Sequence, residues 1–291
     1  MESLSPLARF LRARRGMIEP EDVGLPRGRS PRRVAGLRRE EAAMLAGISA
    51  DYYLKLEQGR ELNPSTAVLE GLITALALDA DGAAYLHRLT RPVVAAAADT
   101  RRAESVSPSL LGLIASMPSV PAHVVNRYLT ILYVNPLAQL LSPGFTVGNN
   151  LVKLTFHPDL PRDAYWRLTA PRAVAYLRAS VDPYDDGPEI TTLLDDLRAL
   201  DPAFETMWCR HEARMPAGHP STFSHPEVGA IELRYQTFDL PGTGGQALGM
   251  YVPAPGSPSA EKLQMLSLVT GRPAAESDRV APRKSGGTTS A

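Results

Sequence analysis

Cysteine is almost missing from this chain: Cys209 stands alone among 291 residues, so neither an internal disulfide nor a cysteine-rich zinc site can form. That usage fits a reducing compartment. No apolar run approaches the roughly 18 residues needed to span a bilayer, and the first residues lack the apolar stretch of a signal peptide. The expectation is a cytoplasmic protein with no membrane partner. Net charge is also missing, because 31 basic residues balance 31 acidic ones, and the whole-chain total carries no nucleic-acid signature. Lysine is scarce, limited to Lys55, Lys153, Lys262 and Lys284 against many arginines, and with plentiful alanine and proline this points to a GC-rich genome. The chain has no His-x-x-x-His pair, no Gly-x-Ser-x-Gly elbow and no phosphate-binding glycine loop. His157, His211, His219 and His225 lie near Asp159, Glu212 and Glu227, but His219 and His225 precede prolines in expected loops. The reading is no enzyme, no metal and no required cofactor.

The distribution of charge is more informative than its total. Up to Arg39 there are arginines at Arg9, Arg12, Arg14, Arg15, Arg27, Arg29, Arg32, Arg33, Arg38 and Arg39, opposed only by Glu2, Glu19, Glu21 and Asp22. Acidic residues gather later, at Asp182, Asp185, Asp186, Glu189, Asp195, Asp196 and Asp201. Leu4, Leu7, Phe10 and Leu11 recur at helical spacing, so Ser3 to Arg15 is expected to be a helix ended by Gly16. Prolines and glycines between Glu19 and Gly36 make that stretch an exposed loop. An arginine run of this kind either meets phosphates or is a solvated loop. From Leu37 to Leu89 the pattern gives four short helices, divided by Gly47-Ile48-Ser49, by Gly59 to Pro64 and by Leu78-Asp79. Ser65 is placed to cap the third, over a stripe of Leu69, Leu72, Ile73 and Leu76.

Between Arg39 and Gly59 two of these helices meet at a tight turn. Ala43 is small where the second helix crosses, Gly47 permits positive φ, and Ser49 is placed to cap the second helix. Tyr53 and Leu56 would form its inner face, leaving Ala50, Asp51, Tyr52 and Lys55 free to enter a major groove. Lys55 can donate to guanine O6 or N7, and Asp51 can accept from cytosine N4.

Residues 4 to 90, ending this motif in Glu57-Gln58-Gly59, resemble the lambda-repressor-like (xenobiotic-response-element) helix-turn-helix family. The resemblance implies double-stranded DNA as partner. Carried over by position, Arg39, Ser49 and Gln58 would touch phosphates and Ala50, Asp51 and Lys55 would face bases, with Tyr52 beside them. Glu57 would pair with Arg12, or with Arg15, since the arginine-rich insertion before the second helix leaves that alignment open. Arg32, Arg33 and Arg38 of this stretch would add sequence-independent phosphate affinity.

Residues 92 to 107 form an alanine-rich, arginine-dotted connector, a linker or a helix extension. Beyond it, the run from Ala122 to Asn135 reads as a hairpin broken at Asn126-Arg127, with a helix following from Pro136. Helices are expected over Tyr165 to Ala179, Ile190 to Leu200 and Ala203 to His211, then strands over Ser221 to His225, Ala230 to Asp239 and Ala247 to Pro253. The stretch 272–291 is small, polar and expected to be disordered.

Val124-Val125-Asn126-Arg127, Leu132 to Ala138, Trp166, Leu177-Arg178, Phe204 to His211 and His225 to Gly229 with Leu233 and Tyr235 occur in the order seen in the MmyB-like ligand-binding domain, which this half resembles. That family implies a PAS-like sensory domain, here 108–271, holding a small apolar ligand such as a fatty acid. Tyr133, Asn135, Trp166, Trp208, His211 and Tyr235 are the candidate ligand residues. Each has a plainer reading: core packing for both tryptophans, a satisfied buried histidine for His211, a strand terminator for Asn135. The fold class expected is thus multidomain, an all-α helix-turn-helix DNA-binding domain (1–91) followed by an α/β (α+β) PAS-like sensory domain, as in actinobacterial regulators. A ligand-modulated regulator and a regulator whose second half is a constitutive dimerisation or interaction module both fit. One short helix-turn-helix reads few base pairs, so a homodimer is expected.

Overall fold

A computed structural model of the chain describes residues 4–26, 36–90, 105–216 and 218–270. Arg32 and Arg33, most of the connector and the stretch 272–291 lie outside the described residues.

The first unit is helical. Helix α1 (Pro6–Met17) starts where Ser5 Oγ accepts from the Ala8 amide at 3.2 Å and proline fills the first turn. It buries Leu7, Phe10 and Leu11 as one stripe. Gly16 does not end it as expected; the helix runs to Met17 and stops where Ile18, itself buried, turns extended. A 3₁₀ turn (Pro20–Val23) begins the following loop, and at its far end the Leu37 amide donates to the Arg15 carbonyl at 3.1 Å. That contact needs Gly36, at φ +83, because a Cβ there would sit 2.5 Å from the same carbonyl. Helices α2 (Arg39–Leu45), α3 (Ala50–Glu57), α4 (Thr66–Ala75) and α5 (Ala80–Leu89) follow. Ser49, Ser65 and Asp79 each cap the helix they precede, accepting from the amide three residues on. Leu37, Ala42, Ala43, Tyr53, Leu56, Leu72, Leu76 and Leu86 close the core around α1.

The second unit is a helix-covered sheet. Its elements are α6 (Pro108–Ala115), β1 (Ala122–Val125), β2 (Ile131–Val134), α7 (Pro136–Leu141), α8 (Leu151–Thr155), α9 (Ala164–Ser180), α10 (Pro188–Leu200), α11 (Pro202–Trp208), β3 (Pro220–His225), β4 (Gly229–Asp239), β5 (Ala247–Val252) and α12 (Pro258–Thr270). The strands form an antiparallel sheet in the order β2-β1-β5-β4-β3. Alternation along each strand divides its side chains between two faces. Val125, Ile231, Leu233, Tyr235 and Tyr251 enter the main core beneath the helices, with Val174, Leu177, Leu197 and Phe204. Val124 and Leu248 face the other way, where Leu110 and Ile114 of α6 and Tyr133 cover them. Helix α11 ends at Trp208, short of the expected His211, because His211 takes φ +53, a left-handed conformation that stops a helix.

His123 lies on the core face of β1, wholly buried and stacked on Tyr235, with Phe145 and Tyr251 beside it. Its partner across the ladder is Gly249, where a Cβ would meet the ring at 2.5 Å. Burial pulls the imidazole from 6.5 down to about 4, so the fold holds it neutral. The unfolded chain takes up that proton below pH 6.5, so the contribution is whole above this pH and is lost as pH falls towards 4, by up to roughly 3 kcal/mol. Denaturation between pH 7 and 4 should show this loss, and His123→Leu should make it shallower; an unchanged slope in the variant would contradict the assignment.

Candidate functional site

The Gly47 turn, at φ +67, presents α3 as an exposed helix across α2. Tyr53, Leu56 and Glu57 are buried beneath it, while Ala50, Asp51 and Lys55 are exposed and Tyr52 and Gln58 half-buried. The Ser49 hydroxyl caps α3 by accepting from the Tyr52 amide at 3.1 Å and remains at the surface. In the free chain Asp51 and Lys55 pair with each other at 2.7 Å, one helical turn apart. The pair holds both side chains along the exposed face of the helix.

Behind this face Glu57 is fully buried, and its carboxylate gathers guanidinium groups from two other helices. Arg15 Nε donates to Oε1 at 2.6 Å and Arg39 Nε to Oε2 at 2.6 Å. Arg12, offered by position as the partner, pairs with Oε2 at 4.0 Å, and the alternative Arg15 makes the closer contact while also donating to the Leu37 carbonyl at 2.7 Å. The side chain of Arg39 stays 47% exposed while anchored at Nε, so Glu57 fixes where its outer nitrogens can point. Arg38 is exposed ahead of α2, its amide donating to the Glu41 carboxylate at 2.7 Å.

The six candidate ligand residues do not line one cavity. Tyr235 is on the core face of the sheet and Tyr133 on the opposite face. Asn135 is a buried clamp: its Oδ1 accepts from the Ala122 and Ala138 amides and its Nδ2 donates to the Val120 carbonyl. Trp166 donates to the Thr155 carbonyl at 2.9 Å and meets Phe156 edge-on. Trp208 stacks on Phe204 and carries the Arg178 guanidinium 3.7 Å above its ring. His211 follows α11, drawn down to about 3 by burial and by Arg178 and Arg9, so it is neutral.

A groove of about 1110 Å³ lies elsewhere, between the β1–β2 turn, the loop before α8, and α10. Leu154, Leu193 and Leu200 supply its apolar wall, Arg127 and Lys153 its cationic groups, and Glu189 and Asp196 its carboxylates. Lys153 pairs with Asp196 of the same groove at 2.6 Å. Sequence reasoning passed over this groove because its residues come from four separated segments. It also passed over His123, whose one signal was a histidine in an otherwise apolar strand facing a glycine.

A helical head with an exposed capped helix is joined to a helix-covered sheet, and two family matches make this a DNA-binding transcription regulator with a ligand-sensing domain. Residues 6–86 match a helix-turn-helix domain, and residues 106–266 match the MmyB-like transcription regulator ligand binding domain. The second match spans more than half of the chain, and the chain belongs to that family. No curated protein sequence matches the chain. Among the described residues no helix is long and apolar enough to cross a membrane.

Glu57→Ala removes the shared acceptor and leaves two guanidinium groups without it. Urea denaturation should show a loss of about 3–5 kcal/mol, the usual consequence of stranding buried charge; a loss below about 1 kcal/mol would show that the pairs do not hold the head together.

Proposed function

We propose that the chain is a cytoplasmic homodimeric regulator that reads DNA with α3 and changes its operator affinity when a small apolar ligand, a fatty acid being the favoured class, occupies the sensory domain. The observation that carries the DNA-reading half is α3 itself. Its inner residues are buried and anchored through Glu57, while Ala50, Asp51 and Lys55 project outward with Ser49 and Arg39 at the flanks. Lys55 reads guanine, Asp51 reads cytosine, and Arg38, Arg39, Ser49 and Gln58 meet phosphates. Arg32 and Arg33 lie in the adjoining basic segment and add phosphate affinity.

The strand order β2-β1-β5-β4-β3 supports a PAS-like reading of the sensory domain. The apolar wall and the lysine at the rim of the groove suit an amphiphile with a carboxylate head: Leu154 and Leu193 take the chain, and Lys153 exchanges Asp196 for the carboxylate. Of the candidates named from sequence, Tyr235 belongs to the aromatic cluster beneath the sheet, while Trp166, Trp208, His211, Asn135 and Tyr133 act on ligand binding through packing. On the outer sheet face Phe238 and Val252, with Leu113 of α6, remain exposed, which favours this face as the dimer contact. The reading includes no catalysis.

The DNA test is Lys55→Ala, with sequences selected from a random duplex pool. The variant should lose discrimination at one base pair by about 1–3 kcal/mol while keeping the rest of the motif; an unchanged motif would remove Lys55 from the reading face. For the ligand, hexadecanoic acid should raise the melting temperature of the wild type and not that of Lys153→Ala; equal behaviour of the two would reject the groove.

A further inference from the structure

The head is not merely tethered to the sensory domain; α5 is held along its length by side chains from it. At its start, Asp79 caps the helix with Oδ1, accepting from the Gly82 amide at 2.9 Å, and turns Oδ2 to Arg214 Nη2 at 2.8 Å. Within the same first turn the Asp81 carboxylate accepts from the Met215 amide at 3.1 Å. At its middle the Tyr85 hydroxyl faces the Arg178 guanidinium. At its end the Leu89 carbonyl accepts from the Tyr184 hydroxyl at 2.7 Å. The segment carrying Arg214 and Met215 is itself bound to α9, through the Arg214 amide and the Ala175 carbonyl at 3.1 Å, and Ala179 and Ala213 pack into the core of the head.

We infer that Arg214 and Tyr184 are positioning residues for operator recognition: gripping α5 at both ends, they fix each head on its sensory domain and so set the spacing of the two half-sites. This rests on the dimeric DNA-binding reading above. Two heads in fixed relation fit half-sites in one register of the duplex, whereas heads on slack connections accept many. Neither residue lies in the DNA-reading face or lines the groove.

The experiment selects duplexes from a random pool with the full-length wild type, the double variant Tyr184→Phe/Arg214→Ala, and Arg214→Lys, which can still donate to Asp79. The wild type should enrich paired half-sites at one spacing and lose about tenfold or more in affinity when half a turn, about 5 base pairs, is inserted between them. The double variant should enrich the same half-site over a spread of spacings, with less than about a threefold loss on that insertion, and Arg214→Lys should retain the wild-type spacing. A double variant that keeps the single spacing overturns the inference. So does one that loses the half-site itself, because the grip would then support the fold of the head and not its placement. Paired half-sites without any spacing preference in the wild type overturn it and leave the dimer standing. Lone half-sites from a chain that is monomeric by light scattering defeat both the dimer and the inference.

Discussion

Helix α9 belongs to two cores at once. Val174, Tyr176 and Leu177 are buried beneath the sensory sheet, while Ala179, one turn further on, packs with the head, and Arg178 between them binds the Trp208 carbonyl and faces Tyr85. Packed interiors are not continuously deformable, so a displacement of α9 in the first core has to be met by repacking in the second. From Tyr85 the contacts continue to Phe10 of α1, whose ring lies 5.5 Å away, and from α1 through Arg15 to Glu57 on α3. Helix α3 and the sensory core are thus joined by contiguous packing and ion pairs. Contiguity alone does not make a signal; a ligand acts along this path only as far as it prefers one placement of α9 over another.

The Glu57 cluster at the far end of that path is a device for geometry. Burying a carboxylate costs several kcal/mol of hydration, and two guanidinium groups offset this only when all three groups are held in place. Here that placement joins α1, α2 and α3 and returns the chain after the arginine-rich insertion to the end of α1, through Leu37. The same carboxylate leaves Arg39 facing outward at the edge of α3. The docking of Leu37 on α1 thus fixes where α2 begins.

The head was largely legible in the sequence because its signals are local: Ser49 and Ser65 before helical stripes, Gly47 at the turn, and small Ala43 at the crossing. The strands were legible for the same reason, since alternation and the glycine-rich turns around Val228 and Thr243 mark them directly. What pairs with what was not. Position offered Arg12 or Arg15 for Glu57; both pair with it, and Arg15, which also binds the Leu37 carbonyl, is the closer. The ligand candidates stand within the motifs of the family resemblance, and the sheet puts Tyr133 and Tyr235 on opposite faces while the backbone consumes the polar atoms of Asn135. Short α8, the groove beside it and the grip on α5 depend on residues tens to more than a hundred positions apart, a separation that no periodicity records.

Hydrogen exchange of the full-length chain, free and saturated with duplexes that it selects itself, tests the central claim that α3 reads DNA and that the head reports to the sensory domain through α5. Slower exchange is expected over residues 49–58, with a smaller change in the same sense over 79–89 and 211–216. Unchanged exchange over 49–58, or protection confined to the sensory sheet, would contradict it.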